Sequence, residues 1–292
     1  EDESLLWSDQ YNRELDDVFA IQDAITLEIV DKLKIKLMGE ERANLEKHHT
    51  ENLEAYNLYL KGRYFWNKRT EEGIKRAIEC FEQAIEIDPN YALAYTGLSD
   101  SYGIAMAYRY IPFADAYSKA KNAASKALEL DNALSEAHTA MATVHMFDLD
   151  WKGTEEAFQQ AIKLNANYAT AHHWYSYILS NKGRHEEAIK EAIIAQELDP
   201  LSPTMSRGLG VVYLCARQYE QAIEELKKTI ELNPQSLFGH LWLSYAYLQS
   251  KMYEESIGIL KEYVGLIGFG DQKALIEQTY TESGSSAALR QI

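Results

Sequence analysis

Residues 169–202 read ATAHHWYSYILSNKGRHEEAIKEAIIAQELDPLS, and this stretch decides the fold. Ala171, Trp174, Tyr175, Ile178 and Leu179 recur at i, i+3 and i+4, the spacing of one buried helix face. Gly183 then interrupts the pattern, and glycine takes a left-handed turn without steric cost. Ala188, Ala192 and Ala195 line a second helix. Pro200 ends the unit, because proline lacks a backbone donor and its ring clashes with the preceding turn. Two antiparallel helices approach closely only where small residues face each other, so the stretch predicts a helix–turn–helix hairpin.

The same pattern recurs on both sides. Glu129-Leu130-Asp131, Lys163-Leu164-Asn165, Glu197-Leu198-Asp199 and Glu231-Leu232-Asn233 place leucines at 130, 164, 198 and 232, a constant step of 34. Ala127, Ala161, Ala195 and Thr229 keep that step, as do Asn132, Ala166, Pro200 and Pro234. Leu198 and Leu232 are expected to be buried between helices. An earlier ending, Ile87-Asp88-Pro89, sits 43 residues before Leu130, so its unit carries nine extra residues. Pro112 predicts a break in that excess. The aromatics around it, Tyr108, Tyr110, Phe113 and Tyr117, either cap a lengthened helix pair or form a lip over a groove. The first unit is expected to hold about three extra residues in its turn, Asn67 to Thr70. Asp148-Leu149-Asp150-Trp151 replaces the glycine turn farther on, and an aspartate there is expected to cap the next helix.

A period of 34 with this pattern resembles the tetratricopeptide repeat. The resemblance divides the chain into a connector over 1–50 and an array over 51–292. The array has six repeats, at about 55–91, 92–134, 135–168, 169–202, 203–236 and 237–270, and a truncated seventh at 271–292. It implies an all-α, right-handed α-α superhelix. In the connector, Leu5-Leu6-Trp7-Ser8 is expected to be a strand remnant. Leu15, Val18, Phe19, Ile25, Ile29, Leu33 and Leu37 mark an amphipathic helix whose apolar face repeat 1 would cover. The run from Leu6-Trp7-Ser8 through Asp17-Val18-Phe19-Ala20-Ile21-Gln22-Asp23 looks like the junction found upstream of such repeats in bacterial signalling proteins. The later stretches Tyr64-Phe65-Trp66-Asn67-Lys68-Arg69 and Ala171-His172-His173-Trp174-Tyr175 look like the same group of proteins. In that group the repeats follow a cyclase, a kinase or a winged-helix DNA-binding domain. The sequence opens on Glu1 rather than Met, and is expected to be a fragment whose effector domain lies elsewhere.

Composition narrows the function classes. Of 292 residues 46% are hydrophobic, enough for a sizeable core, and the formal net charge is −16. Such a surface repels phosphate backbones and anionic lipid, so neither nucleic acid nor membrane is an expected partner unless basic patches are strongly localised. Cys80 and Cys215 form no CxxC, so neither a zinc site nor a disulfide framework is expected. No P-loop, dinucleotide, nucleophile-elbow or HExxH motif occurs, and no cofactor is expected. His138, His172 and His240 recur at one repeat position. Neighbouring helices lie about 8–10 Å apart, too far for metal bonds of about 2 Å, so these histidines are read as packing residues. Cys215 is expected to be buried or inert. Glu186-Glu187, Glu224-Glu225 and Glu254-Glu255 are read as first-turn carboxylates at the positive end of the second helices. A cytoplasmic location is expected, since no targeting segment is present.

The resemblance also implies which residues face a groove lined by first helices. Carried over residue by residue, it points to His173, Tyr177 and Asn181, to Arg207, Val211 and Leu214, and to Leu241, Tyr245 and Gln249. Trp174, Ser180, Cys215, Phe238 and Leu248 stand beside them. Amides pair with a peptide backbone, aromatics take side chains, and an arginine takes a carboxylate. The basic clamp of chaperone-binding members, Lys and Asn at the fifth and ninth repeat positions, has no match, since those positions read Thr96, Thr139, His173, Arg207 and Leu241, then Asp100, Thr143, Tyr177, Val211 and Tyr245. The expected function is a non-catalytic scaffold for a protein or peptide. The alternatives are the regulatory part of an enzyme such as a cyclase or kinase, or a self-assembly module forming a homodimer.

Overall fold

The computed structural model describes residues 49–268 together with Ile276, Gln278 and Thr279. The expected strand remnant, the connector helix and most of the truncated seventh repeat lie outside the described residues. Those that are described form twelve α-helices and no strand. The chain divides between Asn132 and Ala133. The first unit holds α1 (Leu53–Asn67), α2 (Glu71–Ile87), α3 (Ala92–Ala107) and α4 (Phe113–Leu130). The second holds α5 (Ser135–Phe147), α6 (Trp151–Leu164), α7 (Ala169–Asn181), α8 (His185–Leu198), α9 (Pro203–Cys215), α10 (Tyr219–Leu232), α11 (Leu237–Gln249) and α12 (Tyr253–Leu266). In each unit a helix packs on the next in sequence, and each first helix also touches the first helix of the following pair. The fold is all-α, of the α-solenoid class.

Two kinds of turn make this array. Each turn inside a pair has one residue in the left-handed region: Arg69, Arg109, Leu149, Gly183, Arg217 and Lys251, with φ between 55° and 75°. The following amide closes the helix by bonding back to the last full turn, as in Arg184 N–H to Leu179 O and Gln218 N–H to Tyr213 O, both 2.9 Å. Only Gly183 of the six is a glycine. The others carry a side chain in a conformation that costs an L-residue about 1–2 kcal/mol. Each turn between pairs begins with an Asp or Asn, in extended conformation at Asp88, Asp131, Asn165 and Asn233. The side chains of Asp88, Asn165 and Asn233 accept the amide two residues on, at 3.0–3.1 Å. The recurring Asp/Asn after each repeated leucine is therefore a turn former. Asp150 caps α6 as expected, its side chain accepting from Gly153 N–H at 2.9 Å.

Small residues let the helices meet. Phe81 of α2 is fully buried and its ring fills the space where Gly62 of α1 and Gly97 of α3 lack a side chain. A Cβ at either glycine would stand 2.6 or 2.5 Å from that ring, so neither tolerates alanine without displacement. In the second unit Ala188 and Ala192 pack with Tyr175, Ile178 and Leu179 in one cluster, joined by Leu209 and Val212 of the next pair. Between α11 and α12 the small residues are serines. Ser244 and Ser256 each donate to the other's carbonyl, at 3.0 and 2.9 Å.

Four expectations need correction. Leu198 is 36% exposed and Leu232 only half-buried. Each is the last residue of its helix, one turn beyond the final crossing, and the buried members of the repeat are Ala195 and Thr229. The first unit's extra residues are not in the turn at 68–70, which is as short as that at 182–184; α2 carries them, with 17 residues against 14 in α8. The nine-residue excess is likewise shared. α3 has 16 residues against 13 in α7, α4 has 18 against 14, and the turn at 108–112 is two residues longer. Glu224 and Glu225 sit in the second turn of α10, where Glu220 is the first-turn acid.

A polar cluster ties α6 to α7 and its turn. Glu155 pairs with Lys182 and Arg184 and accepts from the Tyr175 hydroxyl at 3.1 Å. The hydrogen bond from Lys182, then those from Arg184 and Tyr175, outweigh burial and hold its carboxyl down to about 2. A lowered carboxylate pKa stabilises the fold above the ordinary value of about 4.3 and loses that contribution as pH falls toward the folded value. Glu155→Gln is expected to remove about 1 kcal/mol at neutral pH, after allowance for solvent screening, and nothing near pH 2. Urea titrations of both proteins across that range measure it. Leu226, fully buried among Leu214, Ala222 and Leu243, is expected to cost about 2–5 kcal/mol on mutation to alanine. Leu198→Ala is expected to cost under about 1 kcal/mol. Equal losses in the same titrations would contradict the assigned packing.

Candidate functional site

Helices α7, α9 and α11 are the first helices of successive pairs, and contacts run from α7 to α9 and from α9 to α11. The 34-residue step places the candidate side chains in three rows across them. One row is His173, Arg207 and Leu241; the next is Tyr177, Val211 and Tyr245; the third is Asn181, Cys215 and Gln249. The third row is the most exposed, because it lies at the C-terminal ends of its helices, beyond the crossings.

The first row is the most enclosed. His173 is 2% exposed, with its ring 4.9 Å from that of Tyr177 and 5.2 Å from that of Trp174. It rests on α9 at Gly208, where a Cβ would stand 2.5 Å from the imidazole. His173 therefore packs the helices together and does not present itself to a ligand. Arg207 is half-buried, and its guanidinium stands 5.9 Å from the centroid of the Phe238 ring on α11. Leu241 is half-buried beside it.

In the second row Val211 is buried between two partly or fully exposed tyrosines. Tyr245 is 45% exposed, 6.1 Å from Trp242 in an edge-on contact. Leu214 is also buried, in the cluster with Leu226 and Leu243. Val211 and Leu214 thus join His173 as packing residues. The third row is exposed throughout, and Cys215 with it. Of the expectation that Cys215 is buried or inert, the first part is corrected: it is exposed, as the last residue of α9. Cys80, by contrast, is buried, and burial pushes its thiol pKa up. What remains accessible is a wall with two amides, two phenols, a guanidinium, a thiol and apolar side chains.

The recurrent histidines lie off this wall. His172 is buried, with Nδ1 2.5 Å from Glu191 Oε2 and Nε2 3.0 Å from Ala166 O. Burial lowers its pKa, but the hydrogen bonds to Glu191 and Ala166 more than offset that and the net shift is upward. His240 holds the equivalent place, with Nδ1 2.9 Å from Ser236 O and Nε2 3.4 Å from Glu262. Their nitrogens face groups of this chain in separate repeats. Among the described residues no group of three or more His, Cys, Asp or Glu is placed to hold a metal, and no helix is long and apolar enough to cross a membrane.

Family models described as tetratricopeptide repeat match residues 55–91, 157–190, 179–237 and 207–271, together just over half of the chain. A putative adenylate cyclase 3 of Rhizobium meliloti is 34% identical over 94 residues, 32% of this chain and 16% of that protein. The transcriptional regulator HilA of Salmonella typhimurium is 27% identical over 150 residues, 51% of this chain and 27% of the regulator. The chain thus spans well under a third of either relative. Among solved structures, Pseudomonas aeruginosa PilF superposes with a TM-score of 0.53 at 22% identity, covering 68% of this chain and 88% of PilF. The Cut9–Hcn1 complex gives 0.57 at 18%, covering 94% of this chain and 54% of the matched one. At these identities the structures speak to the fold alone, and they agree with the helix pairs described above. Repeat period, paired helices, family models and solved structures converge: the chain belongs to the tetratricopeptide repeat family.

Proposed function

We propose that the chain is a non-catalytic scaffold that holds a protein or peptide against the wall of α7, α9 and α11. One observation carries this: the exposed and half-exposed side chains of three successive first helices fall in register and include amides, phenols and a guanidinium 5.9 Å from the Phe238 ring. Amides satisfy an extended backbone, tyrosines bury side-chain area at little entropic cost, and Arg207 meets a carboxylate. The likeness to a cyclase and to a transcriptional regulator supports placing this scaffold in a larger bacterial signalling protein.

Peptides selected against the chain from a displayed random library provide the test. Arg207→Ala is expected to weaken the best of them by about 1.5–3 kcal/mol, the range for a hydrogen bond to a charged group. Tyr245→Ala is expected to weaken them by about 1–2 kcal/mol, and neither variant should shift the thermal midpoint much. Lys190→Glu, exposed on the second helix α8, is expected to leave affinity unchanged. Loss of binding in Lys190→Glu with full binding in the other two would move the site off this wall.

A further inference from the structure

His172 of α7 is 4% exposed, and both of its ring nitrogens face acceptors. Nδ1 lies 2.5 Å from Glu191 Oε2 on α8, and Nε2 lies 3.0 Å from the Ala166 carbonyl in the turn between pairs. One ring thus joins three elements. A neutral imidazole has one donor nitrogen and one acceptor nitrogen. Either neutral tautomer would set a ring lone pair against an oxygen lone pair, at a side chain almost wholly out of water. A ring with two protons donates to both acceptors. The cost of burying its charge is offset by the Glu191 carboxylate.

The next repeat holds a neutral counterpart. One step of 34 farther on, the same two positions carry Ser206 and Glu225. There the Gln196 amide donates to Glu225 and to Ser206 Oγ, the latter at 3.3 Å. An amide keeps its protons across the accessible pH range, so that bridge cannot titrate. His240 has Nδ1 2.9 Å from Ser236 O, but its carboxylate, Glu262, is 3.4 Å from Nε2 and 60% exposed, where water can take its place.

We propose that His172 is held as the imidazolium at neutral pH and is a proton-operated latch, tying α7 to α8 and to the turn before it, and opening as pH rises. Burial lowers the pKa of the ring, but the hydrogen bonds to Glu191 and Ala166 and the Glu191 charge together carry it above the ordinary value. Among the described residues no other charged group acts on the ring. On the elements around it, Glu155 of α6 faces Lys182 and Arg184, Glu187 of α8 faces Arg184, His145 of α5 faces Asp150, and Arg207 of α9 stands near Phe238. A group whose pKa rises on folding stabilises the fold fully below its unfolded value, about 6.5 for histidine. That contribution is lost as pH climbs through the folded value. The latch is therefore closed at neutral pH and released in alkaline solution. It sits on the helix that carries Tyr177 and Asn181, yet it stands whether or not those residues hold a ligand.

Nuclear magnetic resonance of the whole chain with ring-labelled histidine tests this, His172 being assigned through its backbone. At pH 7 both ring nitrogens should show the shift and the proton coupling of an imidazolium. The titration midpoint should lie above about 6.5 and should move down in Glu191→Gln. Hydrogen exchange gives a second readout that a merely structural histidine would not move. Corrected for the intrinsic rate, protection in α7 and α8 should fall several-fold between about pH 6.5 and 9 and change little in α3 and α4 of the first unit. In Glu191→Gln, whose fold is checked by circular dichroism, the α7 and α8 profile should be flat. A ring with one bare nitrogen at pH 7, a midpoint that Glu191→Gln leaves in place, or protection that falls alike in both units would overturn the latch.

Discussion

Everything in this array rests on how closely two helices of a pair can approach. An α-helix carries its side chains outward, and helices with large residues at the crossing cannot mesh deeply. Here the crossings are made of Ala116, Ala120 and Ala124, of Ala188, Ala192 and Ala195, and of the Ser244–Ser256 exchange. The large residues are offset into neighbouring gaps, as Phe81 is between Gly62 and Gly97. Short turns follow, because closely packed antiparallel helices end near each other. The left-handed residue at 69, 109, 149, 183, 217 or 251 is the means of reversing direction within three to five residues. The tight crossing is compelling enough that arginine, lysine and leucine accept a backbone conformation that suits glycine.

That close approach is also what made the fold legible in the sequence. Its small residues recur every 34 positions, and the second helices end at Leu130, Leu164, Leu198 and Leu232, where the repeated motif stands. Periodicity did not reveal which repeated residue is inside. Leu198 and Ala195 recur equally well, yet the leucine is the last residue of its helix and lies beyond the crossing, so the smaller residue is the buried one. The extra residues were detectable by counting but not placeable. A helix absorbs residues one at a time at 1.5 Å each, and nothing in composition separates a longer helix from a longer turn. The expected single glycine signal likewise gave way to five turns with other residues, because tertiary packing overrides local preference.

The candidate wall was partly legible. The rows at 173, 177 and 181 and their successors follow from the repeat, but their exposure does not. Val211 and Tyr245 share a row and differ in fate, because valine is short enough to sink into the cluster while tyrosine extends past it. Arg207 shows the limit more sharply. Sequence marks it as a cation in an acidic chain, but its ring partner Phe238 comes from the next repeat, two helices later.

Among the described residues the main contacts in each unit run to the next helix or the next but one. Low sequence separation between partners means a small loop-closure entropy before any contact forms. Such a chain has low contact order. Folding within a unit can nucleate at any pair and spread outward, with rates set by local pairing and not by a long-range search. Opening follows the same geometry in reverse. A pair at the end of such an array releases one inter-pair interface when it melts, where an interior pair releases two. A partner seated across α7, α9 and α11 would bridge three pairs at once, so that none of the three could open without releasing it.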